Sequence, residues 1–341
     1  MDRRGELMFE RLASLPLEIE GYTLERLTGG ERVTTLLRLQ GRGEEGFGED
    51  LLQMPGEADP IEVPADLPLA GSWTLESFLD ALGGMNQWVE EPPEEWGDFA
   101  ARLRNWVFES AALDLALRQA GVPLAAALGR DEPRPVTFVN SFGLGDPPAL
   151  DRLRATIELY PTVGFKLDAA PTWTREVIAA LAETGMVRTV DFKGHYGLEI
   201  EGDIAPVYEA VVELLPEALI EDPHEGVDGL PLERVSFDAP ITRVQDIGDT
   251  RTINVKPSRI GSLRRLLEIY AWCEERGVAM YGGGMGELGP ARRQIQLLAG
   301  LFHPDGPNDV APPPFNLPDP APGLPSSPLD VSGPPPGFRL K

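Results

Sequence analysis

The chain has 341 residues, 42% of them hydrophobic, and a formal net charge of −25. This length and apolar content suffice for about two domains with a buried core. The acidic charge disfavours nucleic-acid binding because phosphates would be repelled, and no run of about 18 uninterrupted apolar residues predicts a membrane span. One cysteine excludes an intrachain disulfide. The first residues lack the apolar core of a signal peptide, so we expect a cytoplasmic protein.

The first part of the chain has the pattern of an α+β unit. Residues 34–39 form a β-type run, and closely spaced glycines after them predict a hairpin-like return. Residues 51–70 are rich in proline, glycine and aspartate, which indicates a loop. Helical apolar spacing over 103–117 ends at Gly121. We therefore predict a first domain over residues 1–130.

From Pro135 onward the sequence alternates between strand and helix patterns. The predicted strands are 136–140, 163–168, 187–192, 217–222, 234–238, 252–256 and 278–282. The predicted helices are 148–159, 174–184, 203–215, 262–276 and 289–301. Seven such repeats favour a parallel barrel over residues 131–310, with an eighth strand after His303. The prolines of residues 311–341 predict an extended tail that packs on the body.

Charged side chains stand at the ends of five predicted strands. They are Lys166, Asp191, Glu221, Asp238 and Lys256. The carboxyl ends of parallel barrel strands open on one face, where catalytic residues collect. Three carboxylates from consecutive strands suit a hard cation such as Mg²⁺, which prefers oxygen ligands. A lysine inside a barrel is costly unless it is paired or used, and beside such an ion it could act as a base.

Strand alternation adds further charged groups to the same interior. Lys166 and Asp168 share a face, as do Asp191 and Lys193. Either lysine could be a base, or could only form a salt bridge with the neighbouring acids. His195 and His224 follow two of these strand ends and either line the mouth or lie in surface loops.

Asp246 competes with Asp238 as the third metal ligand. Only ten positions separate Asp246 from Lys256, which is too few for a helix and a new strand. Eighteen positions separate Asp238 from Lys256, which is just enough for a helix and a new strand. We therefore predict Asp238.

These residues, with several further motifs, resemble the mandelate racemase and muconate-lactonizing branch of the enolase superfamily. The motifs are Gly46-Phe47-Gly48-Glu49, the helix from Glu109 to Ala116, the metal-ligand series of Asp191, Glu221-Asp222-Pro223 and Asp238, the lysine motif from Ile253 to Gly261, and Gly283-Gly284-Met285-Gly286-Glu287. The resemblance implies an α/β protein, with a modified (β/α)7β TIM barrel and an N-terminal α+β capping domain. The capping domain would select the substrate through the 20s region and the 51–70 loop.

The resemblance also implies a chemistry. Such enzymes use Mg²⁺ to abstract the proton α to a substrate carboxylate through an enediolate. The implied metal ligands are Asp191, Glu221 and Asp238. The implied catalytic residues are Lys256, Lys166, Lys193, Asp168 and Glu287. The expected partner is a small carboxylate substrate, and a homo-oligomer is left open.

Departures from the family pattern bear on the reaction type. The second strand usually ends Lys-x-Lys, but here Asp168 takes the place of the second lysine. Lys193 stands where the third strand usually has asparagine, and Ala239 stands where the fifth usually has glutamate. With one conventional base, Lys256, we predict a lyase or cycloisomerase of the o-succinylbenzoate synthase type.

Three alternative functions stay open. A sugar-acid dehydratase and a racemase or epimerase belong to the same superfamily. A non-catalytic binding protein would use Lys193 to replace the ion. The glycines at 284, 286 and 289 also fit a dinucleotide-binding fingerprint. Because they fall in the seventh repeat with only the proline-rich tail beyond, a nicotinamide oxidoreductase is disfavoured.

Overall fold

The computed structural model describes residues 3–30, 32–53, 60–197, 202–318 and 321–340. The N-terminal elements are α1 (Arg3–Ala13), β1 (Pro16–Ile19), β2 (Gly21–Gly29), β3 (Arg32–Gly41), β4 (Glu44–Asp50), β5 (Gly71–Thr74), α2 (Leu75–Leu82), α3 (Asp98–Ala120) and α4 (Leu124–Leu128). Strands β2, β3 and β4 form an antiparallel sheet, and β1 pairs with β5. Of the predicted 51–70 loop, residues 54–59 lie outside the described residues.

Two glycines allow α3 to lie directly on β4. A Cβ at Gly46 would approach the Ala111 carbonyl oxygen to 2.2 Å, and one at Gly48 would approach the Val107 oxygen to 1.9 Å. No real side chain tolerates such distances, so this contact requires glycine at both positions. The close packing buries the neighbouring Glu49 at the edge of the sheet.

The second half of the chain forms a curved parallel sheet with helices around it. Its elements are β6 (Val139–Gly143), α5 (Asp151–Leu159), β7 (Gly164–Asp168), α6 (Arg175–Thr184), β8 (Val187–Asp191), α7 (Ala205–Leu214), β9 (Leu219–Glu221), β10 (Val235–Phe237), β11 (Thr252–Val255), α8 (Pro257–Ile260), α9 (Leu263–Arg276), β12 (Ala279–Gly282) and α10 (Pro290–Phe302). The seven strands pair in chain order from β6 to β12. The predicted α/β barrel with an N-terminal antiparallel unit is confirmed.

The predicted eighth strand is only a two-residue segment. Asn308 bridges Phe138 before β6, and Asp309 bridges Gly283 after β12, both in parallel. The Val139 amide donates to the Asn308 oxygen at 2.9 Å, and the Asp309 amide donates to the Gly282 oxygen at 2.8 Å. Prolines on both sides of this segment lack the amide hydrogens that a longer strand would need.

The helix assumed between Asp238 and Lys256 is also shorter than expected. It is one 3₁₀ turn, Val244–Asp246. Asp246 caps that turn, because its carboxylate accepts from the backbone amides of Thr242 and Arg243. Asp246 therefore has a local structural role.

One large hydrophobic core joins the two halves of the molecule. It contains Phe78 of α2 and Leu117 of α3 together with Leu266 of α9 and Leu298 of α10. The C-terminal residues add to this contact, since the Phe338 amide donates to the buried Asp114 carboxylate at 2.8 Å. The domain boundaries at residues 130 and 310 remain a prediction. Among the described residues, no helix has the length and hydropathy required to cross a membrane.

Candidate active site

The carboxyl ends of five neighbouring strands bring buried charges together. Lys166 lies in β7, Asp191 ends β8, Glu221 ends β9, Asp238 follows β10 and Lys256 follows β11. Each of these side chains is buried. Three strands, β8 to β10, separate the strands of the two lysines. The acids therefore lie in the sheet between two cations.

The first ionic group is centred on Lys166. Its Nζ lies 2.5 Å from Glu221 Oε1 and 3.3 Å from Asp191 Oδ2. Burial alone would lower the pKa of Lys166, but the charges of Glu221 and Asp191 raise it well above its usual value. In this arrangement Lys166 is an electrostatic partner of the acids and keeps its proton.

The second ionic group is centred on Asp238. Its carboxylate lies 2.6 Å from Lys256 Nζ and 2.6 Å from Arg259 Nη1, and it accepts a hydrogen bond of 2.9 Å from the Tyr196 hydroxyl. Burial alone would raise the pKa of Asp238, but Lys256 and Arg259 hold it well below its usual range. Asp238 is therefore ionised and held by two cations.

Three carboxylates among the described residues could share one cation. Oxygens of Asp191, Glu221 and Asp222 lie within 4.8 Å of one another, and all three residues are buried. Such a donor set fits Mg²⁺, which takes carboxylate oxygens. The cluster includes Asp222, whereas the predicted ligand Asp238 is held by its two cations. Asp238 as a ligand therefore stays a prediction.

Asp222 is oriented by the strand next to it. Its two carboxylate oxygens accept the backbone amides of Asp238 and Ala239, both at 2.9 Å. Its own φ is 45°, a left-handed conformation that is uncommon for a non-glycine residue. The fourth and fifth strand ends are thereby linked beside the acid cluster.

Lys193 occupies the space between the second and third strand ends. Its Nζ lies 3.0 Å from Asp168 Oδ1 and 3.2 Å from Asp191 Oδ2, and one third of its side chain is exposed. Its φ of 54° turns the chain back toward the cluster. Asp168 is thus paired with a lysine from the adjacent strand end.

Glu287 is buried in the loop after β12. It accepts the Met285 amide at 3.0 Å and lies 3.3 Å from Arg292. The N-terminal sheet holds this loop, because Arg32 donates to the Met285 oxygen at 2.9 Å and Glu49 accepts the Leu288 amide at 2.6 Å. The position of Glu287 therefore depends on both halves of the molecule.

The histidines and the glycine motif noted in the sequence have structural roles. His195 packs edge-on against Phe237, and His224 Nδ1 lies 2.9 Å from the Tyr208 hydroxyl. A Cβ at Gly286 would lie 1.7 Å from Arg32, so the protein itself occupies the space beside this glycine. The dinucleotide-like glycine spacing here serves packing.

Sequence reasoning missed three side chains that hold the acids. Arg259 and Tyr196 contact Asp238, and the Tyr281 hydroxyl donates to Glu221 Oε2 at 2.7 Å. Composition gave a signal for the location of the site, though not for these three side chains. The chain has 26 arginines and only four lysines. Three of those lysines, 166, 193 and 256, lie at this site.

Comparison with known proteins identifies the family. The model described as the C-terminal domain of a domain of unknown function (DUF8230) matches residues 132–317, and the model of its N-terminal domain matches residues 10–127. The first match alone spans more than half of the chain.

Curated relatives and solved structures extend the comparison. The chain is 27% identical to an N-succinylamino acid racemase of Thermus thermophilus, over 88% of this chain and 84% of the relative. It is 28% identical to an o-succinylbenzoate synthase of Geobacillus kaustophilus, over 75% and 73%. A dipeptide epimerase of Methylococcus capsulatus, crystallised with a Mg ion, aligns with a TM-score of 0.60 at 15% identity, over 86% of this chain and 90% of that one.

Other solved structures that share the fold are described as members of the enolase superfamily. Their identity to this chain is 21% or lower, so they support the fold alone. The resemblance read from the sequence motifs is confirmed by these relatives and neighbours together. The chain belongs to the DUF8230 family, and its homologues are enzymes of the enolase superfamily.

Proposed function

We propose that this chain is a Mg²⁺-dependent enzyme that removes the proton α to a carboxylate of a small, succinyl-bearing substrate. The product of that step is an enediolate, which then loses a β leaving group or cyclises. The names of the two curated relatives both contain a succinyl group, which suggests this substrate class. The reaction type is that of a lyase or cycloisomerase similar to o-succinylbenzoate synthase.

The observation that carries this proposal is the selective placement of lysine. Everywhere else in the described residues the basic side chains are arginines, and only the barrel mouth has lysines, at 166, 193 and 256. Arginine cannot give up its proton in a protein, whereas a lysine amine can transfer one. A site that needed only permanent positive charge would not require lysine, so we assign proton transfer to one of the three, Lys256, and an electrostatic role to Lys166.

The proposed roles follow from the positions of the residues. Lys256 removes the α-proton on one side of the barrel. Lys166, on the opposite side, stabilises negative charge that develops on the substrate oxygens. Glu287, in the loop after β12, remains a further catalytic candidate. When bound, Mg²⁺ would supply positive charge to the substrate carboxylate. Asp191 and Glu221 would hold it, together with Asp222 or Asp238.

The pairing of Asp168 with Lys193 favours one-base chemistry. Racemisation requires a base on each face of the α-carbon, and the usual second lysine of the second strand is replaced by Asp168. The Lys193 ammonium donates to Asp168 Oδ1 at 3.0 Å. Burial alone would lower the pKa of Lys193, but the charges of Asp191 and Asp168 raise it, which keeps the ammonium protonated. Lys256 is left as the main base, so elimination or cyclisation is the expected outcome.

A chiral substrate tests this proposal. The protein would be incubated with Mg²⁺, D₂O and single enantiomers of N-succinylamino acids or cyclic succinyl-bearing carboxylates. We expect formation of an eliminated or cyclised product, with deuterium entering unreacted substrate on one face only. Inversion with deuterium in both enantiomers would overturn the choice of reaction type.

Racemisation is the second candidate, and it is supported by the location of the Lys193 amine and not by its pairing. Lys193 Nζ lies beside Asp168, the position where a second base usually stands. If Lys193 serves as that base, Lys193→Met will abolish deuterium entry on one face while entry on the other face persists. In the one-base scheme the same variant changes the rate equally for all products.

A further inference from the structure

The barrel interior next to the candidate metal site contains a row of polar side chains. The four consecutive strands from β9 to β12 each contribute one. They are Glu221, Ser236, Asn254 and Tyr281, and none is more than 1% exposed. Barrel interiors are usually filled by branched apolar residues, so a polar row in this place is unusual.

The hydrogen bonds of this row have one direction. The Tyr281 hydroxyl donates its single hydrogen to Glu221 Oε2 at 2.7 Å. The Ser236 hydroxyl lies 2.8 Å from the Tyr281 oxygen and must therefore be the donor in that pair. The chain of donors runs from Ser236 through Tyr281 and ends on the carboxylate.

The other carboxylate oxygen is held separately. Glu221 Oε1 accepts from Asn254 Nδ2 at 3.1 Å and from Lys166 Nζ at 2.5 Å. With donors on both oxygens, the carboxylate cannot rotate without breaking at least one bond. Its position relative to Asp191 and Asp222 is thereby restricted.

Packing alone does not explain the tyrosine. Burying a hydroxyl costs free energy unless it is hydrogen-bonded, and phenylalanine would fill nearly the same volume without that cost. Tyr281 is fully buried, so its hydroxyl has no role at the surface. What its hydroxyl contacts is a carboxylate of the acid cluster.

We propose that Tyr281 is a positioning residue that, with Ser236 behind it, orients Glu221 for binding a divalent cation. This inference rests on the proposed Mg²⁺ site. Outer partners that orient a metal ligand typically contribute 10-fold to 100-fold to metal affinity. Tyr281 would act only through Glu221 and would not touch the substrate.

The test compares two buried tyrosines. Tyr281→Phe removes the bond to Glu221. Tyr270→Phe removes a similarly buried hydroxyl from α9, where the ring stacks on Phe302 and the hydroxyl lies 3.4 Å from His303. Mg²⁺ affinity is measured by calorimetry, and thermal unfolding is followed without Mg²⁺. Activity at saturating Mg²⁺ is a second readout.

We expect Tyr281→Phe to raise the Mg²⁺ dissociation constant about 10-fold or more. Ser236→Ala should raise it less, and Tyr270→Phe should leave it unchanged. High Mg²⁺ should restore part of the activity of Tyr281→Phe. If Tyr281→Phe does not fold, Ser236→Ala decides the question.

Two results would overturn the inference in distinguishable ways. If the wild type binds Mg²⁺ and Tyr281→Phe binds it equally well, or if Tyr270→Phe weakens binding as much, Tyr281 has no positioning role while the proposed function stands. If the wild type binds no Mg²⁺, the proposed function fails, and the inference fails with it.

Discussion

Buried ion pairs occur in both halves of this molecule, and among the described residues lysine takes part only in those at the barrel mouth. In the N-terminal unit, Asp50 pairs with Arg104 at 2.7 Å, and both side chains are fully buried. At the barrel mouth, Glu221 pairs with Lys166 and Asp238 pairs with Lys256, also in the interior. The carboxylate of Asp50 is thus buried with arginine alone, whereas the barrel mouth uses lysine, joined at Asp238 by Arg259.

The surroundings of Arg104 explain the first choice. Besides Asp50, its guanidinium donates to the backbone oxygens of Ile61, Glu62 and Gln87. Four separate acceptors suit the five fixed donors of arginine, and a permanently charged group is an advantage where the role is structural. At the barrel mouth, by contrast, the Nζ atoms of Lys166 and Lys256 pair with the carboxylates of Glu221 and Asp238. We therefore propose that the N-terminal pair supports the fold, whereas the barrel lysines take part in the proposed chemistry.

The largest expected effect concerns Lys256. Lys256→Met should reduce turnover at least ~10²-fold, the usual scale for a positioned base, with circular dichroism unchanged. Lys256→Arg keeps the charge near Asp238 but cannot accept a proton, so it should be nearly as inactive. An active methionine variant would move the base to Lys166 or Lys193, and an active arginine variant would contradict the distinction between the two cations.

The reverse exchange in the N-terminal unit should affect stability instead. Arg104→Lys keeps the charge beside Asp50 but leaves buried backbone oxygens without donors. We expect the free energy of unfolding to fall by about 1–3 kcal/mol, the usual cost of leaving a buried polar group unpaired. Denaturant titration measures this loss. A variant as stable as the wild type would show that the arginine is not required by its acceptors.

A smaller effect is expected from the pH response of Glu109. This buried carboxylate of α3 accepts the Leu263 amide and Asn105, and burial raises its pKa to about 7. Between its ordinary value of 4.5 and 7 the folded protein binds more protons than the unfolded chain. Its contribution to stability is therefore full below that window and declines as the pH rises through it.

Glu109→Gln removes this titration. The unfolding midpoint of the wild type minus that of the variant should be larger at pH 5 than at pH 8. Other carboxylates titrate in both proteins and cancel in the difference. A difference that stays constant with pH would mean that Glu109 keeps an ordinary pKa in the folded protein.

The sequence was sufficient to predict the fold class and the strand ends. Strand periodicity places Asp191 and Glu221 at the ends of their strands because each closes a short apolar run before a change of pattern. Lys166, predicted as a strand end, lies inside β7, two residues before that strand ends at Asp168. The length of the eighth strand was overestimated because strand pairing depends on backbone amides, which the surrounding prolines lack. The length of the helix before Lys256 was overestimated because eighteen positions between two strand ends can also form a loop with a single 3₁₀ turn.

The details of the candidate site could not be read from the sequence. Whether Asp222 or Asp238 faces the acid cluster depends on the left-handed turn at Asp222, which no periodicity indicates. The support from Tyr281 comes from a strand 60 residues away in the chain. Such contacts follow from the curvature of the sheet, which brings side chains of β9 and β12 together across two intervening strands.

The most direct test of the central claim is α-proton exchange. The wild-type protein is incubated in D₂O with succinyl-bearing carboxylates, once with Mg²⁺ and once with a chelator, and loss of the α-proton signal is followed by NMR. We predict exchange with Mg²⁺, none with the chelator, and none for Lys256→Met with Mg²⁺. Tight binding of these carboxylates with no exchange under any condition would contradict the account and support a binding protein on an enzyme scaffold.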